Sequence, residues 1–230
     1  MGVVQDIIRG TSMAKAKFAV ILSGCGVYDG AEIHEAVLTL LAIDRAGAAY
    51  QCFAPDVAQM HVINHLTGQP ADESRNVLVE AARIARGHIK PLAELDMADH
   101  DALILPGGFG AAKNLCTFAI AGPDCTVEPQ TERVIKAAHA AGKPIGALCI
   151  APALIAKVLG HVTVTIGSDA GTAQAVEATG ASHVTTSHGQ TVVDRANKLV
   201  SSPCYMLDAT ISQIDDGARA VVADILKMLT

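Results

Sequence analysis

The chain has 230 residues, half of them hydrophobic, with no Trp and only four Phe, so core volume must come from Ala, Val, Ile and Leu. A formal charge of −6 without any Lys/Arg cluster to displace counterions argues against a nucleic-acid surface. No apolar run reaches the roughly 18 residues of a spanning helix, and the best candidate, 145–156, is interrupted by Pro152, so no membrane partner is expected.

In chain order, residues 1–16 lack the apolar centre and small-residue cleavage site of a secretory signal. They read as a flexible leader before one domain at 17–230. Arg9, Lys15 and Lys17 would suit a weak organelle address, but Asp6 counts against it, and a cytoplasmic location is expected. Six cysteines without a signal or regular spacing read as reduced thiols.

From residue 18 onward, apolar runs alternate with segments of helical period, the pattern of a parallel sheet covered on both faces. A first strand is predicted at 18–23, followed by a Gly-rich turn, a helix over 31–46 ended by Gly47, and a second strand at 49–54. The stretch 55–70 reads as irregular or helical. A helix follows over 74–85 with Ser74 as N-cap, then a buried strand at 101–105 ending in Pro106, Gly107 and Gly108, with a helix beginning near Ala111. The pattern next gives a helix over 126–141 stopped by Gly142, an approach strand over 143–148 and helical character over 151–159. Short strands are predicted at 162–166, 183–187, 191–194 and 199–202, a helix over 172–179 closed by Gly180, and a last helix over 213–228.

In open parallel sheets, ligands bind beyond the carboxyl ends of the strands. Three Gly-rich or tight turns end strands there, at 23–26, 106–110 and 148–151. Cys149 stands between a strand and a helix, the setting of a nucleophile elbow, where the positive helix end favours a thiolate and lowers the thiol pKa. The alternative is a buried structural cysteine. Glu35 shares a helical stripe with Leu38 and Ala42, so its carboxyl is expected to be desolvated, to hold its proton, and to serve as acid and base. Glu32 fits a solvated first-turn carboxylate instead. The backbone N–H groups of Gly107 and Gly108, with that of Ile150, could form an oxyanion hole; the alternative is an ordinary tight turn. Gly24 and Cys25 lie in the first of the three turns, which makes Cys25 either a second reactive thiol or small packing. That turn lacks both the dinucleotide spacing and the ribose-binding acid, and Val62 between His61 and His65 replaces the Glu of a zincin motif. Neither a cofactor nor a metal is therefore expected.

The stretches ILSGCGVYDG at 21–30, EIHE at 32–35, LPGGFGAAKN at 105–114, LCIAP at 148–152 and HVINHLTG at 61–68 closely resemble the ElbB glyoxalase-like proteins. These belong to the PfpI-type, class I glutamine amidotransferase-like superfamily. The resemblance implies an α/β, flavodoxin-like three-layer sandwich with a mostly parallel central sheet, a homodimer, and no cofactor. It places the nucleophile on Cys149, its carboxyl partner on Glu35, and oxyanion-hole positions on Gly108 and Ile150. The implied activity is a cysteine-dependent, hydro-lyase-type glyoxalase that turns glyoxal and other small dicarbonyls into hydroxy acids. Many hydrolytic relatives carry His directly after the nucleophile where this chain has Ile150, which argues against ammonia transfer and proteolysis and leaves acid–base work to Glu35. A thiol-based redox sensor or binding module is the rival reading.

Overall fold

The computed structural model describes residues 15–230. The proposed leader lies almost wholly outside the described residues, although the Ala16 carbonyl already accepts the Ala49 N–H at 2.8 Å. Strand β1 (Lys17–Ile21) leads to α1 (Ile33–Arg45), β2 (Ala49–Ala54) and a small hairpin of β3 (Ile63–Asn64) and β4 (Gln69–Pro70). Then come α2 (Val77–Ile84), β5 (Ile89–Pro91), β6 (Ala102–Leu105), α3 (Phe109–Lys113), α4 (Phe118–Ala121) and α5 (Pro129–Ala140). Strand β7 (Ile145–Leu148) feeds α6 (Ala151–Leu159). The remaining elements are β8 (Thr163–Val164), α7 (Ala170–Glu177), β9 (Ser182–His183), β10 (Val192–Asp194), β11 (Leu199–Ser202) and α8 (Ile211–Leu229).

Seven strands form one sheet in the order β10-β11-β7-β6-β1-β2-β5, parallel throughout except for the antiparallel β10–β11 edge. The expected three-layer α/β architecture is present. Strands buried on both faces need apolar residues at every position, and β1 and β6 are buried almost along their whole length. Phe18 and Val20 of β1 face α1, α2 and α8, whereas Ala19 and Ile21 face α5 and α6. Helix α8 buries Ile214, Ala218, Val221, Val222 and Ile225, a stripe at helical spacing. Its N-terminus is closed by a capping box between Thr210 and Gln213. Among the described residues, no helix is long and apolar enough to cross a membrane.

Four local expectations change. Helix α2 is capped by Asn76, which accepts the Val79 N–H, so Ser74 is not its N-cap. Residues 55–70 are neither helical nor wholly irregular: the β3–β4 hairpin is held by Asp29, whose Oδ2 accepts the Ile63 N–H at 2.7 Å. Helix α5 begins only at Pro129, where Glu128 caps it. The edge strand β5 was not foreseen, because three residues carry too little periodicity to register.

After β1 the chain winds outward to β2 and β5, then returns to the other side of β1 as β6. The strand order therefore reverses between β1 and β6, which opens a crevice at their carboxyl ends. The turns leaving these strands interlock there: Glu32 N–H donates to Gly107 O (3.0 Å), Phe109 N–H to Val27 O (2.8 Å) and Gly110 N–H to Gly30 O (2.8 Å).

Candidate functional site

Cys149 follows β7 at φ 60°, a left-handed conformation that costs a non-glycine residue about 1–3 kcal/mol. The strain is held by its N–H bond to Ser202 O (2.9 Å) and by helix α6, which starts two residues later. This sharp strand-to-helix turn is the elbow expected from the sequence. The thiol is 7% exposed and lies on the wall of a cavity of about 640 Å³. That cavity is mainly apolar, with Val27, Phe109, Phe118, Ala175 and Met206 among its lining, and Asp169 and Tyr205 supplying polar groups.

Glu35, in the first turn of α1, is fully buried, and its Oε2 and the Cys149 sulfur converge on the same face of Gly107. Its Oε2 accepts the Gly107 N–H at 3.0 Å, and its Oε1 accepts the Tyr205 N–H at 3.1 Å. Burial nevertheless dominates, aided by the nearby Glu32 charge, and pushes the carboxyl up to about 8. At neutral pH Glu35 therefore holds its proton, as the apolar stripe predicted.

The close approach depends on glycine. A Cβ on Gly107 would stand 2.3 Å from Cys149 Cβ and 2.7 Å from Glu35 Oε2. Gly108, at φ 93°, could carry no Cβ either, since it would meet Glu32 N at 2.3 Å. With Gly107 occupied by Glu35, its N–H is not free for an oxyanion, which revises the three-donor hole expected above. Gly108 N–H points at the Cys149 sulfur, and neither it nor Ile150 N–H is bonded to a backbone carbonyl among the described residues. The backbone N–H groups open to an oxyanion beside the sulfur reduce to these two.

Two further expectations are overturned. The Cys149 thiol is raised well above its ordinary value, first by burial and, once Glu35 ionises, by the Glu35 charge; these outweigh the Gly108 N–H. Glu32 is not a solvated carboxylate: it is 8% exposed and caps α1 by accepting the Glu35 N–H at 2.7 Å. Gly24 and Cys25 do not line the cavity. Their loop is tied down by Asn114, whose amide donates to Ser23 O (2.8 Å) and Asp29 O (2.9 Å). Burial raises the Cys25 thiol, and the charges it feels are those of Glu80, Arg83, Asp29 and Arg75 around α2.

Sequence reasoning missed Tyr205 and Cys204. Both follow β11, the strand beside β7, in a turn that carries no glycine signal. Tyr205 holds Glu35 through its N–H, and its hydroxyl meets His34 Nδ1 at 2.8 Å. Cys204 is buried near Glu35, and its thiol is likewise pushed well up. Among the described residues, no group of three or more His, Cys, Asp or Glu is arranged to hold a metal ion, so His61 and His65 find no third ligand.

No protein-family model matches the chain. It is, however, 54% identical over 223 residues to the human protein named glutamine amidotransferase-like class 1 domain-containing protein 3, mitochondrial, covering 93% of this chain and 83% of that one. The rat ES1 protein homolog, mitochondrial, is 52% identical, with 93% of this chain and 84% of that one covered. The chain belongs to this ES1, glutamine amidotransferase-like class 1 family. A crystal structure of an Ehrlichia chaffeensis isoprenoid biosynthesis protein with an amidotransferase-like domain superposes with a TM-score of 0.89 at 34% identity, covering 94% of this chain and all of that one. A DJ-1 superfamily protein of Salmonella typhimurium shares the fold at 21% identity and a TM-score of 0.57, with 92% and 91% of the two chains covered. The mitochondrial names of the human and rat relatives overturn the cytoplasmic expectation, because lack of a secretory signal leaves organelles open.

Proposed function

We propose that this protein is a cofactor-independent, cysteine-dependent glyoxalase acting on small dicarbonyls, as the likeness to the ElbB proteins suggested. The observation that carries the reading is the buried Glu35 carboxyl packed beside Cys149, both against Gly107, at the wall of the apolar cavity. A group poised near 8 can give and take a proton close to neutral pH, the best position for acid–base catalysis.

In the fraction of molecules whose Glu35 is ionised, set by its value of about 8, the Cys149 sulfur adds to one aldehyde carbon of glyoxal as the Glu35 carboxylate takes the thiol proton and hands it to the aldehyde oxygen, leaving Glu35 a carboxylate again. During addition that oxygen faces the N–H groups of Gly108 and Ile150. The Glu35 carboxylate then takes the hydrogen from the hemithioacetal carbon and returns it to the neighbouring carbon. The first carbon is oxidised to a thioester as the second is reduced to an alcohol, so no external redox carrier enters. Water cleaves the thioester, releasing glycolate and the thiol. Burial keeps the Cys149 thiol protonated at rest, so its sulfur becomes nucleophilic only as Glu35 takes the proton.

The relatives' names extend the proposal to a mitochondrial location, and the family resemblance to a homodimer. Turnover of glyoxal by rigorously purified protein, beside Cys149→Ser, tests the activity. Substrate-dependent glycolate from the wild type alone is expected; equal rates from both proteins would refute it.

A further inference from the structure

A pair of cysteines, Cys116 and Cys125, brackets one wall of the same cavity. Cys116 and Val127 face each other across a short antiparallel bridge, closed by Thr117 N–H to Thr126 O and Glu128 N–H to Leu115 O, both 2.9 Å. This bonding makes them a non-hydrogen-bonded pair, the arrangement in which opposed side chains stand closest. Cys125, two residues before Val127, projects to the same side and lies diagonal to Cys116. Each thiol is 3% exposed, and both belong to one buried apolar cluster. The residues between them, 117–124, include α4, and Phe118, Ala119 and Gly122 of this segment form part of the cavity wall.

We propose that Cys116 and Cys125 form a redox dithiol, and that its oxidation by a hydroperoxide pins the 117–124 wall beside Cys149. The two partners are unequal. Burial raises the Cys125 thiol as well, but Lys157, whose Nζ donates to Pro123 O at 2.7 Å, sets a positive charge near it that works against the rise. The Cys116 thiol, pushed up to about 12 by burial, has no such cation and donates to Ala111 O at 3.4 Å. Cys125 is therefore the attacking thiol and Cys116 the resolving one. The Cys125 sulfur takes one peroxide oxygen as the O–O bond breaks, giving a sulfenic acid and an alcohol (water from hydrogen peroxide). The Cys116 sulfur then displaces that oxygen as water, and the S–S bond forms. The sulfurs are oxidised, the peroxide is reduced, and the two thiol hydrogens leave in the products. The disulfide ties both ends of a segment whose outer residues, Ala119 to Ala121, face solvent. Opening of that wall is then restrained.

The proposal is independent of glyoxalase activity, so its test reads alkylation of Cys149 rather than turnover. Protein treated with limiting hydrogen peroxide is digested without reductant and mapped by mass spectrometry. A parallel sample is pulsed with iodoacetamide, and labelling of Cys149 is followed only in molecules without added oxygen. We expect a Cys116–Cys125 crosslinked peptide and Cys149 labelling slowed by about threefold or more, both reversed by dithiothreitol and absent in Cys116→Ala and Cys125→Ala. The crosslink in the wild-type protein is read directly, so a variant that folds poorly does not blunt the test. Peroxide that oxidises other thiols while this pair stays reduced would overturn the dithiol. A crosslink that leaves Cys149 labelling unchanged would overturn its effect on the wall.

Discussion

Cys25 and Cys149 occupy matching places in the chain, each just beyond a central parallel strand, yet the fold treats them differently. Cys149 is forced into a left-handed turn against a buried carboxyl at a cavity wall. Cys25 sits in a loop stitched by Asn114, away from that cavity and near the charged residues of α2. A strand-end cysteine thus becomes a candidate nucleophile only when other elements deliver a proton partner, oxyanion donors and a cavity.

The largest effect that would test the contrast is at Gly107. Gly107→Ala puts a methyl into Cys149 and Glu35, and overpacking of this kind costs about 1–3 kcal/mol. It should abolish glyoxal turnover and lower the urea midpoint, whereas Cys25→Ser should leave turnover within about twofold. Loss of activity in Cys25→Ser comparable to that in Cys149→Ser would erase the distinction.

Next comes Glu35→Gln. An amide matches the carboxyl in shape and can donate a hydrogen bond. In the structure both carboxyl oxygens accept backbone N–H groups, so the amide NH2 must face one of those donors. We expect a loss of about 1–3 kcal/mol in chemical denaturation and a fall in turnover of ~100-fold or more. Wild-type stability in this variant would mean that the two N–H contacts are not made.

The pH dependence is smaller and sharpens the same point. Glu35 titrates at about 8 in the fold against 4.5 ordinarily, so between these values the folded chain keeps a proton the unfolded chain has lost. Its contribution to stability therefore declines as pH rises across that window and levels off above it. Denaturation at about pH 6 and about pH 9 should show a greater loss for wild type than for Glu35→Gln. An equal loss in both would show that Glu35 does not titrate in this range.

The smallest effect is in labelling order. Cys149, held up by burial and Glu35, should gain iodoacetamide reactivity well past the pH of about 8.5 at which an ordinary thiol ionises. Cys25, the more accessible thiol, should label first near neutrality. Rapid labelling of Cys149 at neutral pH, ahead of Cys25, would restore the thiolate expected from the helix terminus alone.

Much of this was legible in the sequence, because it rests on local order. Continuous apolar runs such as 18–23 and 101–105 demand two covered faces, and hence a parallel sheet between helices. The strand-to-helix junction at Cys149 and the apolar stripe bearing Glu35 are written in neighbouring residues. What depended on distant residues was not. The Glu35 carboxyl takes one N–H from Gly107, 72 positions away, and another from Tyr205, 170 away. The first strand-end turn, at Gly24 and Cys25, was tied down away from the cavity by Asn114, and the pairing that brings Cys125 beside Cys116 required an antiparallel bridge too short to leave a period. The sequence by itself determined which elements form and which groups stand at the strand ends. Only the tertiary structure decided which of those groups meet, and whether burial or a helix terminus sets the Cys149 thiol, because desolvation and charge act through space.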